Sequence, residues 1–247
     1  MRLLTYNIRY GGLGRVGALA AVVNQCAPDV VVLQEATRPE VVERLAEATG
    51  MKAWGSRPSH SVGFMSRREV GHHEWHRPVA SRRAFLEILP AGSPLRIFGV
   101  HLSAVHSNWT ERRRVRELRA LLGGIARHQD GFHVVAGDFN TLAPGETLDL
   151  RKLPPRLRAV AWLTGRWIRW ETIQIMLDAS YVDAYRSLNP GDPGFTFPTW
   201  DPHVRLDYIF LPLAWSPRLA ACTVVAGPAA VGGASDHLPV LAELDES

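Results

Sequence analysis

Residues 133–141 read HVVAGDFNT. Val134, Val135 and Ala136 suit a buried strand, and that strand stops at a carboxylate and an amide, Asp138 and Asn140. For one such strand, turn chemistry is a sufficient account, because Asp and Asn side chains bond their own backbone and tolerate unusual dihedrals. The alternative is that both side chains face a ligand. That alternative requires other strands to end in the same way.

Working outward, apolar runs of strand length occur at 3–7, 29–35, 96–101, 205–210 and 238–244. Helix-like segments at 18–26 and 39–48, the latter with Pro39 in its first turn, flank the second run. Short strands at 62–66, 69–75 and 84–89 interrupt this alternation, so an α/β chain with a mixed rather than purely parallel sheet is expected. A further helix opens at Thr110 with Glu111 in its first turn, and Val115, Leu118, Leu122 and Ile125 recur along one face. Arg112, Arg113, Arg114, Arg116 and Arg119 are expected on the opposite, solvated face.

The composition, 46% hydrophobic and 21% charged over 247 residues, excludes a disordered chain and suits one soluble domain spanning 1–247. A net charge of +4, from 28 basic and 24 acidic residues, leans towards a polyanionic partner. The two cysteines, Cys26 and Cys222, sit in separate apolar segments and are expected as buried thiols rather than a disulfide. With no leader-like start and no apolar run long enough to span a bilayer, the expected location is the cytoplasm. One segment departs from this composition. Residues 150–170, LRKLPPRLRAVAWLTGRWIRW, interleave six basic residues with Trp162, Trp167 and Trp170. Tryptophan packing beneath a basic face ranks first there, a phosphate-backbone contact second and a membrane surface third.

GGLGRVG places Gly12, Gly14 and Gly17 in the outline of a dinucleotide-binding turn, with Glu35 at ribose spacing. Against it, Asn7 and Arg9 stand where a pyrophosphate needs bare backbone, and a nicotinamide site leaves several strand-end residues without a role.

Those residues form the pattern that the opening stretch requires. Asn7 ends the first run, Glu35 the second and His101 the one in RIFGVHLSA; Asp207 lies in VRLDYIF, and Asp236-His237 precede the last run. Each alone has a bland explanation: a core histidine, a helix-terminal acid, a turn residue. Together they converge, since ligands of open α/β sheets bind beyond the strand ends. Several buried carboxylates repel one another unless a cation is present. Oxygen donors without thiolates point to Mg²⁺ or Mn²⁺ more than to zinc, and two histidines supply proton transfer near neutral pH. Hard metal, imidazole and a basic surface suggest attack on a phosphate ester.

TYNIRYGG, LQEA, VHLSA, GDFNT, RLDYIFL and SDHLPV occur in this order along nearly the whole chain. They resemble the endonuclease/exonuclease/phosphatase superfamily, whose fold is that of deoxyribonuclease I. The resemblance implies a four-layer α/β sandwich, two mixed sheets packed face to face with helices outside. It also implies site roles: Glu35 as principal metal ligand with Asn7 and Asp236; Asp138 and Asn140 positioning water and phosphate; Asp207 orienting His237; and His101 as a second catalytic histidine. Arg9, in NIR, and Arg83, in SRRAFLEI, resemble phosphate-facing arginines. The carboxylate that supports the second histidine in deoxyribonuclease I has no match here, since Glu69 and Glu74 fit poorly by position, and the disulfides of that secreted nuclease are absent.

The expected function is thus Mg²⁺-dependent phosphodiester hydrolysis, with DNA as first substrate and a monomer as the acting form. His237 would help deprotonate an in-line water. A phosphomonoesterase or a phospholipid phosphodiesterase of the same superfamily, acting on a phosphorylated small molecule or a lipid, is the alternative. The rival of a different class is a nucleic-acid or membrane binding module with a vestigial site, which tight binding without metal-dependent turnover would reveal.

Overall fold

The computed structural model describes residues 1–79, 81, 83–104, 108–128, 130–147, 151, 170–227 and 233–247. Most of the basic, tryptophan-rich 150–170 segment, and the ranking of its roles, lies outside the described residues. In chain order the strands are β1 (Arg2–Asn7), β2 (Val30–Gln34), β3 (Ala53–Gly55), β4 (Val62–Ser66), β5 (Val70–His76), β6 (Phe85–Pro90), β7 (Arg96–His101), β8 (His133–Asp138), β9 (Tyr181–Asp183), β10 (Asp207–Pro212), β11 (Leu219–Val224) and β12 (Val240–Leu244). The helices are α1 (Val16–Cys26), α2 (Pro39–Thr49), α3 (Asn108–Gly124), α4 (Glu171–Asp178) and α5 (Ala184–Leu188).

Two six-stranded sheets result, ordered β11-β12-β1-β2-β4-β3 and β5-β6-β7-β8-β10-β9. Each is mixed: β1–β2 and β7–β8 run parallel, while the other pairs are antiparallel. Their inner faces meet in one core, Leu3, Val30, Val32 and Phe64 against Leu86, Ile88, Ile97, Val134 and Ile209. On the outer side of the first sheet, Leu4, Tyr6, Val31 and Leu33 pack on α1 and α2 through Leu19, Val23, Val42 and Leu45. On the outer side of the second, Phe98, Val135 and Phe210 pack on α3 and α4 through Leu118, Leu121, Ile173 and Met176. The order helix, sheet, sheet, helix is the four-layer sandwich. A central strand in such a stack is covered on both faces, which is why VVVL in β2 is continuously apolar rather than alternating.

Local chemistry sets the element ends. Pro39 opens α2, where its missing N–H costs nothing, and Gly50 closes it at φ 65°. Three strands were not foreseen. β3 and β9 are three residues each, too short to show a period, and β11 has a register shift between Leu219 and Ala221 that breaks alternation. The helix α3 starts at Asn108, ahead of Thr110. One expectation is corrected outright: Arg114 is buried, not on a solvated face, because it pairs with buried Glu111. Both cysteines are buried free thiols, and burial pushes them up to about 11 for Cys26 and about 12 for Cys222, away from thiolate chemistry. Among the described residues no helix is long and apolar enough to cross a membrane.

Gly137 has to be glycine. At φ 154° a side chain there would run into the backbone carbonyl of Val100 on the neighbouring strand β7. Overlap with backbone cannot be relieved by a rotamer change. Gly137→Ala is expected to cost at least about 2 kcal/mol of stability, in the range of strained special-backbone substitutions. Urea unfolding measures it, and an unchanged midpoint would contradict the contact.

Candidate active site

Sheet register assembles the first part of the site. On β8, Asp138 stands directly opposite His101 of β7 on one side and Asp207 of β10 on the other. Three residues far apart in sequence thus form one buried row at a strand end. Asn7, at the end of β1 in the other sheet, closes the gap: its Nδ2 donates to Asp138 Oδ2 at 3.0 Å.

His237 arrives from the loop before β12. Its Nδ1 donates to Asp207 Oδ2 at 2.8 Å, turning Nε2 towards Asp138 Oδ2 at 4.0 Å. His101 Nε2 lies 3.8 Å from the same oxygen. Asp138, Asp207 and His237 present ligand-type atoms all within 4.8 Å of one another. The loop carrying His237 is clamped by 196–199: Thr199 N and Oγ1 donate to the carbonyls of Asp236 (2.9 Å) and Ser235 (3.0 Å), while the Phe197 ring lies 4.9 Å from the imidazole. Ser235 Oγ donates to the Asn7 carbonyl at 2.6 Å, tying this loop to β1.

The electrostatics of the row follow from burial and like charge. Burial and the neighbouring Asp207 raise Asp138 to about 7. Burial alone would depress His237, but Asp207, Asp138 and Asp236 together outweigh it and raise the imidazole to about 10. For His101, burial is the largest influence and, with Arg83 and His237, lowers the imidazole to about 3. The two histidines are therefore shifted in opposite directions.

Backbone strain marks the rim. Arg9 (φ 49°), Glu35 (φ 56°) and Asn140 (φ 53°) all adopt left-handed conformations. Each costs of order 1–3 kcal/mol for a residue with a side chain, and such strain gathers at functional sites. Asn140 is compensated by its N–H to Asp138 Oδ1 at 2.8 Å and its Nδ2 to the Leu102 carbonyl at 3.2 Å. Glu35 Oε2 accepts the Tyr10 N–H at 2.5 Å, and Arg9 donates its N–H to Asn7 Oδ1 at 3.0 Å while its guanidinium pairs with Asp236 at 3.2 Å.

The sequence-derived residues therefore fall into two groups. Asn7, His101, Asp138, Asn140, Asp207 and His237 form the connected row. Glu35, Arg9 and Asp236 stand around it, linked through Tyr10 and Asn7; among the described residues Glu35 has no hydrogen bond to the row itself. Arg83 donates to Ser61 Oγ at 3.2 Å and, with His101 and Glu117, borders a small closed space. His101 Nδ1 is buried with no hydrogen-bond partner among the described residues, in keeping with the unmatched carboxylate.

The supporting residues were not read from the sequence. Glu111 accepts Arg114 Nε (3.0 Å) and Nη2 (2.8 Å), Thr141 Oγ1 (3.1 Å), and both the N–H and hydroxyl of Thr172 at 2.8 Å. Arg114 also donates to the Ser103 carbonyl at 2.8 Å, and Glu117 accepts the Ser103 N–H at 3.0 Å and hydroxyl at 2.7 Å. Ser103 follows the His101 strand and Thr141 follows Asp138, so α3 holds both strand ends in place.

Asp207 Oδ1 is buried with no hydrogen-bond partner among the described residues. A bare carboxylate oxygen beside a second carboxylate, in a set without thiolates, fits a hard divalent cation.

The sequence profile of the Endonuclease/Exonuclease/phosphatase family matches residues 4–237, and the chain belongs to that family, whose members hydrolyse phosphoester bonds. No curated protein matches it. Similar solved structures include the 3′ phosphatase NExo of Neisseria bound to product DNA hairpin (20% identity, TM-score 0.73, 99% of each chain covered). The 3′-5′ exonuclease NExo from Neisseria meningitidis is similar at 21% identity and TM-score 0.72, covering 99% of this chain and 100% of that one. An AP endonuclease from Archaeoglobus fulgidus is similar at 17% identity and TM-score 0.72, covering 99% of each. At these identities the likeness concerns the fold.

Proposed function

We propose that the protein is a divalent-metal-dependent phosphoesterase that hydrolyses phosphodiester bonds of DNA by in-line attack of water. The observation that carries the reading is the buried row His101, Asp138 and Asp207 of one sheet, joined to His237 from the loop before β12 and to Asn7 of the other sheet. Glu35, with Asn7 and Asp236, would hold Mg²⁺ or Mn²⁺. When bound, such a cation polarises a non-bridging phosphoryl oxygen and offsets charge on the leaving oxygen.

The side chains divide the proton chemistry among them. Asp138, poised at about 7, takes the proton of the attacking water near neutral pH. His237, protonated up to about 10, holds negative charge as it develops on the phosphate, and Asp207 fixes its ring. Asp138 thus joins His237 as a candidate base, since Asp207, Asp138 and Asp236 all raise the imidazole. Neutral His101 offers one hydrogen bond to a phosphate oxygen. Asn140 keeps Asp138 in its rotamer through its N–H, and Arg9 and Arg83 supply positive charge to the substrate phosphates.

Support for DNA comes from the net charge of +4 and from the similar structures, a 3′ phosphatase bound to product DNA hairpin, a 3′-5′ exonuclease and an AP endonuclease. Tyr10, 74% exposed beside Arg9, and Trp200, 68% exposed beside Phe197, offer faces on which bases stack. The test is a panel of recessed-end, abasic and 3′-phosphate DNA, sphingomyelin and inositol phosphates, each with Mg²⁺ and with chelator. Turnover is expected on at least one DNA and to fall to background with chelator. Turnover confined to lipid or inositol phosphate, or untouched by chelator, would overturn the reading.

A further inference from the structure

A second cluster of metal-type side chains lies on the opposite edge of the second sheet. β5 reads VGHHEWH, and alternation puts His73 and Trp75 inward, against Phe64 and the Val62 carbonyl, and turns His72, Glu74 and His76 to the other face. There Glu74 is the direct cross-strand neighbour of Glu87 on β6. Like charges directly opposite destabilise a sheet pair unless something positive joins them.

Glu87 is 2% exposed and already neutralised: it accepts His76 Nε2 at 2.5 Å and a close contact from Arg96 Nη1. Burial opposes ionisation of Glu87, but His76 and Arg96 outweigh it and hold the carboxyl below its ordinary range. Among the described residues Glu74 has no such donor. His72 Nε2 and His76 Nδ1 each stand 3.8 Å from its two oxygens, beyond hydrogen-bond reach. His128 approaches Glu87 at 3.7 Å, but its Nε2 accepts Arg127 Nε at 3.1 Å.

The separations suit ligands of one ion better than direct bonds. Two ligand atoms about 2.0–2.1 Å from a tetrahedral zinc lie about 3.3–3.4 Å apart. Here ligand atoms of His72, Glu74 and Glu87 all lie within 4.8 Å of one another, and the first two are half-exposed on an edge strand, free to close by a rotamer adjustment. We propose that His72, Glu74 and Glu87 form a second cation site, for a divalent transition metal of the zinc class, with His76 and Arg96 holding Glu87 in place. Mixed imidazole and carboxylate donors suit that class better than Mg²⁺, so this site and the oxygen-rich catalytic one differ in preference.

Zn²⁺ alone is the probe, titrated calorimetrically at pH 7 into the wild-type chain, His72→Ala and Glu74→Gln, with thermal midpoints taken with and without one equivalent. The catalytic residues are the same in all three, so only the difference between them is read. The wild type is expected to bind one equivalent more than either variant and to gain a zinc-dependent rise in midpoint that both variants lack. Equal stoichiometry and equal midpoint shifts in all three would overturn the site and leave the cluster as a proton-bridged surface group. Matching midpoints without zinc show that the variants are folded.

Discussion

His237→Ala lowers phosphoester turnover by on the order of 10²–10⁴, the usual consequence of removing a positioned acid, base or charge-stabilising group. The argument rests on geometry before charge: Nδ1 is committed to Asp207 at 2.8 Å, so only Nε2 faces the row, towards Asp138. Removing the ring also deprives buried Asp207 of its partner, so a thermal melt accompanies the assay. Asp207→Asn separates the two effects. It keeps the shape while taking away the carboxylate that does most to hold His237 up, so the imidazole should titrate at lower pH by NMR and turnover should fall with it. Unchanged turnover in folded His237→Ala would remove the residue from the mechanism.

Glu111→Ala has the second large effect, on stability. Glu111 is 2% exposed and accepts from Arg114, Thr141 and Thr172, and Arg114 is equally buried. Removing one partner of a buried pair leaves the other charge uncompensated, at about 3–5 kcal/mol. Urea unfolding should show a loss of that size, and Glu111→Gln, which keeps some of these hydrogen bonds, should lose less. A loss below about 1 kcal/mol would mean that water takes over the role of the carboxylate. Because the same network pins Ser103 and Thr141, kcat is expected to fall in folded Glu111→Gln even though the side chain is remote from the proposed reacting atoms.

The catalytic row was legible because each of its members ends or opens an apolar run, where a polar residue has no packing reason to be. HVVAGD and RIFGVH carry their strand limits and their chemistry in the same letters, whereas the run expected at 205–210 begins at Asp207 and ends at Pro212. The order of strands and the pairing of His101 and Asp207 with Asp138 were not legible from these letters, since register depends on which runs become neighbours.

The buried support was missed for a different reason. Glu111, Arg114, Leu118, Leu121 and Ile125 lie at helical spacing on one stripe, yet a reading by residue type puts Arg114 among the solvated arginines. A run of five arginines in eight residues draws the eye to solvent, while the period places the third of them inside. Phe197 and Ser235 offered no signal at all, because their roles come from loops that meet only in three dimensions. The proposal of Asp138 as a candidate base likewise rests on carboxylates converging on one imidazole, a sum that spacing along the chain does not reveal.

Mg²⁺-dependent cleavage of DNA by the wild type and by Asp138→Asn, compared at matched folding, tests the central claim most directly. Asp138 is the residue that touches Asn7, Asn140, His101 and His237 at once. The expected result is chelator-sensitive turnover in the wild type and a loss on the order of 10² or more in the variant. Equal turnover in the two would contradict a single site built on this row.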